Sequence, residues 1–533
     1  MTSIGEALIA QLVARDVDVV FGIPGVHTVE LYRGLAASGI RHITPRHEQG
    51  AGFMADGYAR ISGKPGVALV ITGPGLTNTL TPMAQARADS VPMLVLSGVN
   101  ALPNLGKGLG LLHELPDQRA VASSVAITSD RVEDQDDLTP LLDKVFTQFA
   151  TARPGPAHIE IPLDVARFEY AQPIAPAAET SPPQASDDDL ARAAELLQSA
   201  KAPVILAGGG ARGSNADLQA LAERLDAPVV LTANARGMMH RHRLCVPASP
   251  SLEAVRKLIE DADVVLALGT ELGQTDYDVN ATGSIAPMKS LIRVDICPWQ
   301  LQSYGATLAL RADAGSTIRS LLELLAANSG NDGTGTQRAE ETRQKAFDEI
   351  GPEMRTLVQL LDTIREAVPG AIMVGDSTQL IYAGNLYYDH DRPGGWFNAA
   401  TGYGALGYGI PAAIGAALAE PKAPVLCITG DGGAQFTLPE LMVAVDENLP
   451  ITFVIWNNHG YREIATWMKA ADVTVIGCDP TPPDFSAVAA SCGIPFRRCG
   501  TEAKEIAEAL RNAMSETRPS IVEIDASDFP FTS

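Results

Sequence analysis

A strand, a glycine turn, a helix and a proline that leads the next strand occur twice in this chain, once near each end. The first copy reads VALVITGPGLTNTLTPMAQARADSVPMLVLSG and the second VLCITGDGGAQFTLPELMVAVDENLPITFVIWN. Their separations agree to one residue, Gly73 to Pro92 against Gly430 to Pro450. Short apolar runs bounded by turn residues read as buried strands, whereas Leu438, Leu441, Met442 and Val445 stand at the spacing of an amphipathic helix. Strands alternating with helices build mainly parallel sheets, because a parallel neighbour is reached only through a long crossover. The predicted class is therefore α/β. The two copies fit a distant internal duplication, although strand, turn and helix is also a common unit. They differ at one telling position: the second has Asp431 where the first has Pro74.

Two stretches read as linkers, AQPIAPAAETSPPQASDDD over 171–189 and ANSGNDGTGTQRAEETR over 327–343. They divide the chain into 1–170, 186–328 and 345–533, each with its own β-rich runs, such as PGVALVIT, APVILAG and ITFVIWN. The 533 residues, 46% apolar and 19% charged, suit a globular chain of several domains. A net charge of −23 disfavours nucleic acid or an anionic membrane surface as partner, without fixing the sign of any one pocket. The six cysteines are scattered without a CxxC pair, which suits reduced thiols better than zinc or a disulfide framework. The segment MTSIGEALIAQLVARDVDVV lacks the basic start of a secretory leader, and no run is long enough to span a membrane. A cytoplasmic protein is expected.

Asp431 lies at the carboxyl end of a predicted strand, where open α/β sheets bind ligands. One strand later, FVIWNNHGY brings Asn457, Asn458, His459 and Gly460 to the same crest. A carboxylate, a side-chain amide and a free carbonyl suit a hard divalent cation such as Mg2+, which is commonly shared with phosphates. Gly432 and Gly433 add amides near a helix start, where a diphosphate finds oriented donors. GDGG alone reads as a tight turn; followed by the two asparagines, it reads better as a metal-bridged diphosphate site.

This pairing resembles the GDG…NN signature of thiamine-diphosphate enzymes, and the resemblance extends over the whole chain. It implies thiamine diphosphate and Mg2+ as cofactors, with Asp431, Asn458 and Gly460 as metal ligands. It also implies an aminopyrimidine-binding, a middle and a diphosphate-binding domain in that order. RHEQGAGFMADGYAR matches the family's glutamate motif, in which Glu48 would hydrogen-bond the pyrimidine and favour its proton-accepting tautomer. By itself, Glu48 reads equally well as an acid in a first helical turn favoured by the helix dipole. FGIPGVHT and TGPGLTN match family loops around the pyrimidine and supply Pro24, Gly25, Thr72 and Asn78. GDSTQ supplies Ser377 and Thr378 near the diphosphate, together with Gly430, Gly432, Gly433 and Tyr461. TGYGALGYGIPAAIGAALA matches the segment under the bent cofactor, with Gly404 in the turn and Leu406 as the apolar wedge. In this family the cofactor lies between two subunits, so a homodimer is the smallest working unit and homotetramers are common.

The middle part contains PVILAGGGARGSNADLQALAERL, whose Gly208, Gly210 and Gly213 satisfy GxGxxG. No acid ending a second strand follows about twenty residues later, as that fingerprint requires. FAD, which acetolactate synthases hold in this domain, is not expected here. HRHR at 240–243 reads as an exposed basic loop rather than a metal site.

The finer resemblance is to decarboxylases of 5-guanidino-2-oxopentanoate, through GIPGVHTVELYRGL, LHELPDQRA, GDSTQLIYAGNL and GDGGAQFTLPEL. It implies a 2-oxo acid substrate whose guanidinium needs an acidic partner, for which Glu114, Asp117 and Glu463 are candidates, Glu463 first among them because NNHGYREIATW brings it close after the metal loop. His27 and His113 are candidates for relaying a proton, beside the ordinary reading of satisfied core histidines. Acetolactate synthase is the alternative: ITGPGLTN and DSVPMLVLSG fit it, and Trp467 falls where those synthases carry a tryptophan. Against it, Ser129 stands about where they have a lysine, and LHE replaces their FQE. A non-catalytic regulatory protein on the same fold is the third reading, disfavoured by the joint presence of Glu48, Asp431 and Asn458.

Overall fold

A computed structural model describes residues 2–277, 284–326 and 332–529. Three six-stranded sheets, parallel throughout, are built in chain order with helices between the strands. The first contains β1 (Val19–Gly22), β2 (Arg41–Ile43), β3 (Gly66–Val70), β4 (Met93–Val99), β5 (Thr128–Arg131) and β6 (Pro156–Pro162). The second contains β7 (Val204–Ala207), β8 (Val229–Leu231), β9 (Cys245–Val246), β10 (Val265–Leu268), β11 (Leu291–Asp295) and β12 (Leu308–Arg311). The third contains β13 (Ile372–Gly375), β14 (Trp396–Asn398), β15 (Val425–Gly430), β16 (Ile451–Asn457), β17 (Phe496–Cys499) and β18 (Ser520–Asp525). The α/β expectation is met, and the central strands are apolar runs buried on both faces, as helix-covered parallel sheets require.

The outer sheets have the same order. The first runs β2-β1-β3-β4-β6-β5 and the third β14-β13-β15-β16-β18-β17. The middle sheet runs β12-β11-β10-β7-β8-β9, the doubly wound order of dinucleotide-binding folds. In each outer sheet the order reverses beside the first strand, which opens a crevice at the carboxyl ends of β1 and β3 and of β13 and β15.

The outer sheets are joined by two helices, Glu48–Ser62 and Gly409–Ala419. A methyl group on Gly57 would overlap the Ala412 carbonyl, and one on Gly415 would overlap that of Met54. The glycines therefore let the two backbones touch, and one apolar core runs through both units, from Phe53 and Met54 to Ile414 and Phe453.

Two local expectations change. The helix expected from Leu438 onward is broken into Asp431–Ala434, a single 3-10 turn Leu438–Glu440 and Leu441–Asp446. Pro439 starts a new turn there and cannot continue an existing helix, because it has no N–H to donate. Of the second linker, residues 327–331 lie outside the described residues, and Gly335–Glu349 is a helix. Its buried side is Ala339, Thr342 and Ala346, residues too small or polar to register as an apolar stripe. Stretch 171–185 contains no helix or strand. No described helix is long and apolar enough to cross a membrane, and all six cysteines are free thiols.

Candidate active site

At the crevice of the third sheet, β13 delivers Asp376, Ser377 and Thr378, and β15 delivers Asp431, Gly432 and Gly433. Asp376 is fully buried and accepts hydrogen bonds from the backbone N–H groups of Ser377 (2.8 Å), Gly407 (2.9 Å) and Gly409 (3.2 Å). Burial pushes its carboxyl up to about 6, against the pull of those three donors. It thus ties the Gly404–Leu406 turn to the end of β13. A side chain on Gly433 would meet the Asp376 carboxylate at 3.1–3.3 Å, and one on Gly432 would meet the Tyr461 ring at 2.5 Å. These glycines keep a bare backbone cradle at the start of the Asp431–Ala434 turn.

Because β15 pairs with β16 through Gly430 and Trp456, Asn458 emerges beside Asp431. Its amide orientation follows from its neighbours. Trp456 Nε1, which can only donate, bonds Gln379 Oε1 at 3.0 Å, so that oxygen is an acceptor and receives Asn458 Nδ2 at 2.8 Å. The other amide atom is then the oxygen, 3.2 Å from Asp431 Oδ1 and 2.8 Å from the Gly460 carbonyl. Turning the amide over would satisfy Asp431 and Gly460 but would set its oxygen against Gln379 Oε1. The Trp456 bond argues against that turn. Three oxygens thus converge with no proton between them, and the buried Asp431 Oδ2 has no partner either. Burial raises the Asp431 carboxyl above its ordinary range, the N–H groups of Asn458 and Gly460 opposing. A cation would relieve all of this. Gly460 has φ 145°, a backbone conformation that side chains resist, and a methyl there would overlap the Cys478 carbonyl.

Thr378 lies against Gly430, Leu406 is half-buried, and Gly404, at φ 74°, is exposed. Glu463 follows in the first turn of helix Arg462–Ala470 and accepts the Trp467 indole N–H at 3.0 Å.

The first sheet's crevice gathers the other candidates. After β1, exposed Pro24 precedes Gly25, whose N–H and C=O both bond the Thr28 hydroxyl at 3.1 Å. His27 is buried, its ring centroid 5.6 Å from that of His113. Burial, then the neighbouring His113, lower its affinity for a proton, while Asn100 opposes. Nδ1 of each imidazole is buried without a partner, and His113 has φ 62°. After β3, the buried Thr72 hydroxyl also lacks a partner, and Gly73 N–H donates to Gln118 at 2.9 Å. Glu48 opens its helix behind the cap His47, is half-buried, and accepts Asn78 Nδ2 at 3.0 Å. Across from it, Glu440 of the third unit accepts the N–H groups of Arg46 and His47 at 3.0–3.1 Å. Burial raises the Glu440 carboxyl to about 7.

Each chain thus has two clusters, Pro24, Gly25, His27, Glu48, Thr72, Asn78 and His113 on the first crest and the remaining candidates on the third. Of the other acids, Glu114 is half-buried and accepts the N–H groups of Leu109 (3.1 Å) and Leu111 (3.0 Å). Asp117 caps helix Gln118–Ser123 through Ala120 N–H. Ser129 bonds the buried His158 at 2.8 Å.

Sequence reasoning missed Asp376, Gln379, Gln118 and Glu440. For Asp376 there was a signal: Gly375-Asp376 after an apolar run repeats Gly430-Asp431. The others act through partners distant in sequence, which no local pattern reveals.

In the middle domain, the Gly208–Gly213 loop packs against Gly269, with Gly210 N–H bonded to its carbonyl at 3.0 Å, and borders a cavity of about 300 Å3. Thr232, not an acid, follows β8. His240 and His242 approach Asp389 (3.1 Å) and Glu223 (3.2 Å). Among the described residues, no three His, Cys, Asp or Glu side chains are grouped to hold a metal.

Three family profiles match the chain. They are the thiamine pyrophosphate enzyme N-terminal TPP binding domain over residues 2–121, the central domain over 190–321 and the C-terminal TPP binding domain over 376–524. A protein of Pseudomonas aeruginosa named "Probable 2-ketoarginine decarboxylase" is 40% identical over 98% of this chain and 93% of its own length. The acetolactate synthase isozyme 3 large subunit of Escherichia coli is 30% identical over 88% of this chain and 84% of its own. A protein of Methanocaldococcus jannaschii named "Probable acetolactate synthase large subunit" is 30% identical over 97% and 91%.

Proposed function

This chain belongs to the thiamine pyrophosphate enzyme family, and from that premise we propose that it decarboxylates a 2-oxo acid, 5-guanidino-2-oxopentanoate (2-ketoarginine), to the aldehyde. In this reading the enzyme uses thiamine diphosphate and Mg2+ but no FAD, works in the cytoplasm as a homodimer or homotetramer, and has three units at 1–170, 186–328 and 345–533. The convergence of Asp431, Asn458 and Gly460 oxygens beside a bare glycine turn carries the cofactor part. The 40% identity to the Pseudomonas protein, over nearly the whole of both chains, supports the reaction and the substrate.

Bound thiamine diphosphate supplies a nucleophilic carbon and an electron sink for the leaving carboxylate. Asp431, Asn458 and Gly460 would hold the Mg2+, and Gly432 and Gly433 would let the backbone approach the diphosphate oxygens. Ser377, Thr378, Gly430 and Tyr461 close that end. Leu406, held by the Gly407 tie to Asp376, would pack against the cofactor. Glu48 would hold the pyrimidine proton, with Asn78 orienting its carboxylate and Pro24, Gly25 and Thr72 walling the ring. His27 and His113, with their unpaired Nδ1 atoms, deliver the proton that releases aldehyde. The acid that meets the guanidinium is one of Glu114, Asp117 and Glu463.

Carboligation of the acetolactate synthase type is the second reading, favoured by the 30% identity to those synthases. Purified protein with thiamine diphosphate and Mg2+, offered 5-guanidino-2-oxopentanoate and pyruvate separately, separates the two. Carbon dioxide with guanidino-aldehyde and no acetolactate is expected; acetolactate from pyruvate alone would refute the decarboxylase reading.

A further inference from the structure

A cavity of about 350 Å3 lies between helix Gln379–Leu386, helix Arg462–Ala470 and the middle domain. Tyr382, Asn385 and Thr401 line one side, Ser249 and Ser251 another, and Glu463 is the only charged residue among the described residues that line it. The Asn385 side chain is committed to Asn398 and Trp396. Glu463 receives one hydrogen bond, from Trp467, and forms no ion pair among the described residues. The other two candidate acids are engaged locally, Glu114 by backbone N–H groups and Asp117 as a helix cap. A carboxylate facing a cavity whose other described lining residues are uncharged attracts a cation.

Two of the cavity's lining residues, Tyr382 and Glu463, lie on helices that start next to the proposed diphosphate site. Gln379, which fixes Asn458, opens the helix that carries Tyr382, and Glu463 follows Gly460 by one short step of chain. Tyr382 shares a hydrogen bond with Ser377 of the diphosphate loop, and burial raises its phenol, with Glu463 adding to the effect.

We propose that this cavity seats the cationic head of the substrate, with the Glu463 carboxylate pairing a guanidinium and the Tyr382 ring flanking it. A planar guanidinium suits both contacts, a two-point bond to a carboxylate and stacking on an aromatic face. Selectivity for a charged over an uncharged 2-oxo acid then arises from this one acid. The substrate class rests on the decarboxylase reading, but the cavity itself can be tested apart from it.

The experiment compares kcat/KM for 5-guanidino-2-oxopentanoate and for uncharged 2-oxohexanoate in the wild type, Glu463→Gln and Glu463→Asp. The ratio of the two is expected to fall at least about tenfold in Glu463→Gln and by less in Glu463→Asp. An equal loss on both substrates, leaving the ratio unchanged, would mean that Glu463 serves structure alone and would overturn the proposal. If the wild type turns over neither acid, the decarboxylase reading fails, and calorimetric binding of 4-guanidinobutanoate to the thiamine-diphosphate-loaded protein decides. Binding weakened by Glu463→Gln supports the cation seat, whereas equal or absent binding in both proteins refutes it.

Discussion

The turn after β3 and the turn after β15 occupy the same place in the same strand order, yet their chemistry diverges. After β3, Pro74 starts an unbroken helix to Ala88, and the turn is held by Gln118 through Gly73 N–H. After β15, Asp431 starts a turn that breaks after Ala434, and its buried Oδ2 has no hydrogen-bond partner. The asparagines behave in the same way: Asn100 and Asn458 each lie eight residues beyond their matched proline. Asn100 gives its amide N–H to the Leu112 carbonyl at 3.3 Å and also serves His27, while Asn458 turns its oxygen toward Asp431. A shared topology supplies the crevice, and single residues at its rim decide whether it takes a cation or an organic ring.

The largest effect is expected at the first crest. Glu48→Gln should lower kcat by about 10²–10⁴ while thiamine diphosphate still binds, as for loss of a proton-handling carboxylate. Undiminished turnover would remove Glu48 from the chemistry. Next comes the joint between the two crests. Gly415→Ala pushes a methyl into the Met54 carbonyl and should cost about 3 kcal/mol of stability, read as a lowered Tm. An unchanged Tm would show that the helices can part without cost.

A third test uses Glu440, which crosses between the units. Its carboxyl is raised from 4.5 to about 7, so the folded state keeps a proton that the unfolded chain releases earlier. Its contribution is therefore fully present below about pH 4.5 and is lost as pH rises through about 7, a swing on the order of 2 kcal/mol. Denaturation of the wild type against Glu440→Gln across that window should show the wild type losing ground as pH rises, and parallel curves would exclude the effect. The smallest change is expected from Pro74→Asp, which places at the first crest the aspartate that the third crest has at Asp431. It should bring no Mg2+ binding at the first crest by calorimetry, because the Asn100 amide is already committed; a second Mg2+ would show that the aspartate alone makes the site.

Much of this was legible in the sequence because the signals are local. Apolar runs closed by glycine turns mark the strands, and the spacing from Asp431 to Asn458 is set by three short helical pieces and one strand. The Gly335–Glu349 helix was hidden because its packed side is alanine and threonine. The break before Leu441 came from Pro439, inside an otherwise helical pattern. Asp376, Gln379 and Glu440 look like ordinary polar residues until the fold brings them to Gly407, Asn458 and Arg46. Long-range pairs of this kind leave no periodicity to read.

The central claim is that the third crest holds a divalent cation on which the diphosphate depends. Calorimetric titration of thiamine diphosphate into metal-stripped protein, with Mg2+ and with EDTA, tests it in the wild type and in Asp431→Ala. The account predicts binding by the wild type with Mg2+ only, and binding by Asp431→Ala in neither condition. Equal binding in EDTA, or wild-type affinity in Asp431→Ala, would contradict it.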